Sequence, residues 1–329
     1  MDFSEPTIQD NEIHDPIPET RVELLYYERF ENTKEDRVVF DLINAPASHA
    51  NALRRTLLAT VPSMAFDFIE VYQNASVLPD EVICHRIGLI PININPKYFE
   101  YIQGDANIDT IDDPKTTLLF GLCVIGGEGP DPNLEGVDAT WDKLPPFYTG
   151  PSGCVMSSHF VWMPYPDQRE ILPVFPTMLH DNIEITRLHP GQKIELYARA
   201  IKGSGSRHAK FSPVSTAFYR LVPKIEVRND ISDEKKQLIV NCCPRHVFEI
   251  EESGNVIAAD VRKCTFCKEC TRLKRLNGCV RLEKEPNHYE FTVESFGVRS
   301  APSIVKEALQ ILNQKSMNMK AALEDAVSQ

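Results

Sequence analysis

Two stretches of strict alternation constrain the fold more than any other feature of this sequence. In Lys193–Ala200, Ile194, Leu196, Ala198 and Ala200 fall on one face, and Lys193, Glu195 and Arg199 on the other. In His288–Glu294, Tyr289, Phe291 and Val293 oppose His288, Glu290, Thr292 and Glu294. A period of two belongs to strands with one face in a core. Looser strand patterns run through Val22–Arg29, Val38–Ile43, Ala65–Tyr72, Thr117–Ile125, His159–Met163 and His246–Glu251. Two segments change period. From about Pro46 to Ala59, Ala50, Leu53, Leu57 and Leu58 recur at helical spacing, with Arg54 and Arg55 pointing elsewhere. Asn44 is expected to cap this helix and Pro62 to end it. From about Pro302 to Val327 a second apolar stripe holds Ile304, Val305, Ala308, Leu309 and Leu312, and Leu323 and Val327 continue it more weakly. The fold class is therefore α+β, strand-rich in the middle and helical near both ends. So apolar a terminal helix needs a groove, in this chain or in a partner.

The length of 329 residues is enough for two packed domains. No apolar run approaches the roughly 20 residues a membrane span needs, so no membrane association is expected. The first twenty residues lack a basic flank and an apolar stretch, and no secretory signal is read there. Charge is uneven. The chain carries −12, and six acids (Asp2, Glu5, Asp10, Glu12, Asp15, Glu19) stand in residues 1–20 without one Lys or Arg. That leader is expected to be disordered or docked on a partner. Residues 261–284 hold eight basic residues against Glu269 and Glu283, a patch able to face nucleic acid, an acidic protein or only solvent. Between 126 and 153 the chain is rich in Gly, Pro and Asp and reads as a long surface loop.

The nine cysteines do not form a disulfide framework. Cys264, Cys267 and Cys270 are bunched, and Cys242 and Cys243 adjacent. In a reducing compartment such a bunch reads as a metal or redox site. No catalytic constellation emerges. His208 and Lys210 have no nucleophile or carboxylate at a telling spacing, and the glycines at 203–205 and 126–129 lack the Lys-Ser/Thr ending of a phosphate loop.

Four ordered blocks carry a resemblance. They are NALRRTLL with the proline and strand that follow, VLPDEVICHRIGLIPI (Val77–Ile92) with an acidic turn leading into H-R-x-G-L-I-P, GSRHAKFSPV (Gly205–Val214), and NHYEFTVESFG (Asn287–Gly297). Together they resemble the α-type assembly subunits of multisubunit RNA polymerases. Within that family the wording around Phe211, the acidic leader and the dispersed Cys84, Cys123 and Cys154 are most like the larger alpha-like subunit shared by RNA polymerases I and III. The polymerase II and archaeal counterparts are near neighbours. A ferredoxin-type redox protein and a free zinc-dependent nucleic-acid binder are the rival readings.

The resemblance implies a dimerisation domain in two parts, 21–75 and 210–329, split by an inserted β-rich domain at 76–209. A ferredoxin-like insert would lie at about 241–285. Cys243, Cys264, Cys267 and Cys270 would there hold one iron–sulfur cluster or zinc, or the site would be an empty relic. The implied role is non-catalytic: pairing with a small alpha-like subunit and nucleating the two large catalytic subunits, in the nucleus and nucleolus, with DNA met only through the complex. Leu53, Leu57, Ile304, Ala308, Leu309 and Leu312 would serve the heterodimer interface. Arg54, Arg55, His208 and Lys210 would lie on surfaces facing other subunits.

Overall fold

A computed structural model describes residues 19–102, 112–128, 144 and 146–327. All but two residues of the acidic leader, and most of the 126–153 loop, lie outside the described residues. The strands β1 (Arg21–Arg29) and β2 (Asp36–Ile43) join Val280–Ser295 and Val214–Val227 in a four-stranded sheet, in the order β1, β2, Val280–Ser295, Val214–Val227. A five-stranded sheet orders β3 (Pro62–Asn74), Lys193–Ser204, Thr117–Ile125 and Phe147–Tyr148, with Val161–Met163 paired to Thr117–Ile125. Helix α1 spans Ala47–Ala59, α2 spans Asp80–Gly88, and a long C-terminal helix spans Ala301–Val327. No helix among the described residues is long and apolar enough to cross a membrane.

Packing divides the chain into two compact units. One draws on the segment ending at Leu25, on Phe40–Ala50 and on Arg220–Glu290; the other on Tyr26–Val39, Asn51–Tyr219 and the segment from Phe291 onward. In the second unit the alternation of Lys193–Ala200 is realised as expected. Ile194, Leu196, Ala198 and Ala200 are wholly buried, in a core shared with Phe66, Phe120, Leu118 and Leu122. Phe66 meets Phe120 edge-on at 5.5 Å and stacks on Phe160 at 5.3 Å, geometry that adds to simple area burial. Arg199 departs from its expected solvent face. It is 8% exposed and clamped by Glu70 at 2.8 Å and Asp112 at 2.9 Å, because the second face of this strand is covered too.

Two local expectations are corrected. Asn44 does not cap α1: it sits at φ +59° and donates through its side chain to the Glu19 carbonyl, while the Pro46 carbonyl accepts from His49 and Ala50. The acidic stretch before H-R-x-G-L-I-P is not a turn but the start of α2. Asp80 and Glu81 lie in its first turn, His85 and Arg86 in its last, and Ile83 and Ile87 bury one face. That charge order complements the helix dipole.

The first unit has its own apolar core around Ile239, Val247, Phe248, Val256, Leu276 and Val280. Ser232 precedes the helix Asp233–Cys242, and a short hairpin pairs Phe248–Ile250 with Val256–Ala258. Cys243, Cys270 and Cys279 fill positions in this core.

Candidate functional site

Helix α1 is positioned by the loop that follows Lys193–Ser204. The Ser206 N–H donates to the Ala59 carbonyl at 2.9 Å, and a Cβ on Gly205 would lie 2.1 Å from the Leu58 carbonyl oxygen. Only glycine permits this approach. Leu53 and Leu57 are 3% and 0% exposed, so both face the interior of this chain rather than a free surface. Arg54 is half-buried and donates to the Asn51 side chain at 2.9 Å. Arg55 is exposed. His208 is exposed and caps the single turn Ala209–Phe211, its Nδ1 accepting from the Lys210 N–H at 3.1 Å. Lys210 and Arg207 both reach Asp67 at 2.6 Å, over the buried Phe211 ring. His208 and Lys210 thus both hold the shape of this loop.

The C-terminal helix has two halves of different character. Ala301, Ile304 and Ala308 are fully buried, and Leu312 is half-buried. Its start is held from across the fold. The Asp36 carboxylate accepts from the Ala301 N–H at 2.8 Å and from the Ser295 hydroxyl at 2.6 Å, a capping anion at the positive end of the helix. Leu309 is 46% exposed, and from Asn313 to Val327 every residue is exposed, including Met317, Met319 and Leu323. These apolar side chains extend the stripe of the first half beyond anything it packs on.

In the first unit a buried charge network lies beside the basic segment. Arg262 grips Asp41 through two hydrogen bonds, at 2.5 and 3.1 Å, and reaches Glu290 at 2.6 Å; Arg220 also binds Glu290. His288 sits between Asp41 at 3.0 Å and Glu285 at 2.9 Å. Burial opposes the charge on His288, but the two carboxylates outweigh it and its pKa is raised. Burial likewise works against the Asp41 carboxylate, yet Arg262 and His288 hold its pKa below the ordinary value. Arg272, Arg281 and Lys263 are paired with neighbouring acids, which leaves less of the basic patch free than its composition implies.

Cys243, Cys264, Cys267 and Cys270 all line one crevice of about 10 Å³. Cys243 and Cys270 are buried, Cys264 is half-buried, and Cys267 is exposed. Burial, then the nearby sulfurs of Cys242, Cys264 and Cys267, push the Cys270 thiol up to about 11. Among the described residues no three His, Cys, Asp or Glu side chains converge closely enough to hold a metal ion. As placed, the four sulfurs share a pocket without forming a ligand sphere, so they do not fit zinc or an iron–sulfur cluster.

Sequence reasoning missed the Asp41–Arg262 pair and a cleft of about 300 Å³ in the second unit, lined by Met64, Ile90, Ile92, Ile94, Phe296 and Val298 among others. The polar groups at this cleft are already engaged. Ser63 donates to the Phe211 carbonyl, Ser212 to the Val214 carbonyl, Lys210 pairs with Asp67, and Arg299 with Glu307. Its free character is apolar, suited to burying a side chain rather than to polarising a substrate.

Residues 39–316 match the family described as the RNA polymerase Rpb3/Rpb11 dimerisation domain. The chain is 39% identical to the DNA-directed RNA polymerases I and III subunit RPAC1 of Mus musculus, over 85% of this chain and 80% of that protein. It is 33% identical to the rpac1 subunit of Dictyostelium discoideum, over 89% of this chain and 80% of that protein. The DNA-directed RNA polymerase II subunit rpb3 of Dictyostelium discoideum is 31% identical, over 89% and 93%.

Proposed function

The chain belongs to the RNA polymerase Rpb3/Rpb11 dimerisation family, and from that premise we propose that it is the larger alpha-like assembly subunit shared by RNA polymerases I and III. The role is non-catalytic. The observation that carries this reading is similarity along nearly the whole chain, at 33% to 39% identity, to proteins named as subunits of both polymerases. Their polymerase II relative is less similar, at 31%.

In this reading the exposed half of the C-terminal helix pairs with a small alpha-like subunit. Leu309, Met317, Met319 and Leu323 are the residues exposed for that contact, while Ile304 and Ala308 are buried on the same helix, and Leu53 and Leu57 are buried on α1. An unpartnered apolar stripe of this extent supports a helix partner, since burying it removes large side chains from water. Arg55, exposed on α1, is suited to a carboxylate or carbonyl of a large subunit. His208 and Lys210 hold the shape of an adjoining surface. The β-rich stretch 76–209 is read as an inserted domain, and the small separate core around Ile239 and Phe248 as the counterpart of a ferredoxin-like insert. The place of work is the nucleus, with the nucleolus as the site of polymerase I.

The test is a pull-down of the endogenously tagged subunit, followed by mass spectrometry. Recovery of the large subunits of polymerases I and III without those of polymerase II is expected. Recovery of polymerase II alone would overturn the assignment, and recovery of no polymerase would reduce the family relationship to ancestry.

A further inference from the structure

From sequence the cysteine crevice was read as the place of an iron–sulfur cluster or zinc, or as an empty relic, and its geometry presents no metal ligand set. Four sulfurs line a space of about 10 Å³, room for no more than about one water. No three of the described His, Cys, Asp or Glu side chains converge as a ligand set. What the crevice presents instead is a graded series of thiols. Cys267 is exposed, Cys264 half-buried, and Cys243 and Cys270 are buried behind them. Of the nine cysteines, Cys267 alone is exposed.

The backbone and the local charge single out the same sulfur. Phe266 and Lys268, on either side of Cys267, are held at φ +55° and +62°. Non-glycine residues seldom adopt that conformation, and two in three positions set Cys267 in a tight, fixed turn. Arg245 and Lys268 also line the crevice, and both are exposed and without a carboxylate partner among the described residues. Two cations beside an accessible sulfur complement the negative charge carried through a displacement at that sulfur. Cys270 lies three residues on, lines the same crevice, and is covered from solvent.

We propose that this crevice is a thiol–disulfide site, in which hydrogen peroxide oxidises Cys267 and Cys270 then closes a disulfide with it. In the first step the Cys267 thiolate attacks one peroxide oxygen and the O–O bond breaks. The departing hydroxide takes up the proton that the thiol has shed and leaves as water, while the sulfur becomes a sulfenic acid. In the second step the Cys270 sulfur attacks the sulfenic sulfur and the S–O bond breaks. The hydroxyl group leaves with the proton of the Cys270 thiol, as a second water. Two thiols lose two electrons in total, and one peroxide is reduced to two waters. Reduction by a dithiol reverses the change. The disulfide ties the turn at Cys267 to the buried core position of Cys270, so oxidation stiffens this part of the first unit.

The experiment uses the full chain, isolated under anaerobic reducing conditions, freed of reductant, and treated with one equivalent of hydrogen peroxide. Free thiols are then alkylated and the protein is digested with trypsin without reduction. Cleavage after Lys263, Lys268 and Arg272 places Cys264 and Cys267 on one peptide and Cys270 on the next. The expected product is those two peptides joined, lighter by two hydrogens than their sum. The join persists in Cys264→Ser and disappears in Cys267→Ser, where Cys270 is recovered alkylated. Because Cys267 is exposed, its serine variant is expected to fold as the parent does. Metal analysis of the isolated protein before peroxide gives an independent reading. Iron or zinc at one or more per chain would overturn the proposal, as would Cys267 carried to the sulfinic acid beside a free Cys270. A join that survives Cys267→Ser would overturn it too.

Discussion

At the scale of single residues, the charge network of the first unit makes the sharpest claims. Asp41 is 2% exposed and has three contacts to cations, two from Arg262 and one from His288. Asp41→Ala leaves Arg262 facing a cavity, and is expected to cost about 2 to 4 kcal/mol in denaturant unfolding. The lower end applies because the Arg262 side chain is 38% exposed. The same network predicts a pH dependence. The folded pKa of His288 lies above its ordinary 6.5, so its contribution is complete below that value and is lost as pH rises through the raised one. The folded pKa of Asp41 lies below its ordinary 3.8, so its contribution is complete above that value and is lost as pH falls through the lowered one. Thermal midpoints measured across neutral pH should therefore fall on the alkaline side, and His288→Gln should flatten that fall while leaving the acid side in place. A midpoint that rises with pH in the parent protein would contradict the network. None of this was legible in the sequence, because Asp41 and Arg262 are separated by 221 positions and nothing local marks them as partners. Arg199 was misjudged for a related reason: alternation tells which side of a strand a residue takes, not whether that side is covered. The four cysteines are the opposite case. That these four belong together was implied by the resemblance, and all four line one crevice, but whether sulfurs face each other or a common centre depends on backbone turns such as those at Phe266 and Lys268.

At the scale of elements, several periods were read well, but caps were read poorly, Val280–Ser295 was seen only over His288–Glu294, and the strand Val214–Val227 and the helix Asp233–Cys242 were not seen. Helix α1 was expected from about Pro46 to Ala59 and runs from Ala47 to Ala59, and Thr117–Ile125 was placed to the residue. Helix α2 was missed because it follows Pro79 without a capping side chain, and its stripe of two isoleucines is short. The C-terminal helix was found, but its cap was not, since Asp36 supplies it from the far end of the chain. Two variants separate the interior of α1 from the exposed face of the proposed dimer helix. Leu57→Ala removes a wholly buried side chain of α1 and should cost the isolated chain about 3 kcal/mol. Leu323→Asp alters a side chain that is 59% exposed, and should shift the stability of the isolated chain by less than about 0.5 kcal/mol. Co-expression with the small partner is expected to show the reverse order: Leu323→Asp loses the partner while remaining soluble. Normal recovery of the pair with Leu309 and Leu323 both changed to Asp would refute the use of this helix face. The contact between α1 and its bracing loop gives a third test. Gly205→Ala forces a Cβ to 2.1 Å from the Leu58 carbonyl, and should lower stability by about 1 to 3 kcal/mol with no change in charge or apolar pattern.

At the scale of the whole molecule, the α+β class was legible from the period of the apolar pattern and the family from four short blocks. Each of the two packing units is assembled from segments far apart in sequence. The first unit needs Phe40–Ala50 as well as Arg220–Glu290, and the second needs Asn51–Tyr219 together with the segment from Phe291 onward. This discontinuity has a consequence for how the chain comes into being. A ribosome adds about 5 to 20 residues per second. Asp41 leaves the exit tunnel 221 residues ahead of the arginine that neutralises it, so the two are separated by roughly 10 to 45 s of translation. Over that interval Val38, Val39, Phe40 and Leu42, all buried in the finished fold, have no completed sheet to enter. Over that time the nascent chain carries these apolar side chains in the exposed state that makes an incomplete fold prone to aggregate.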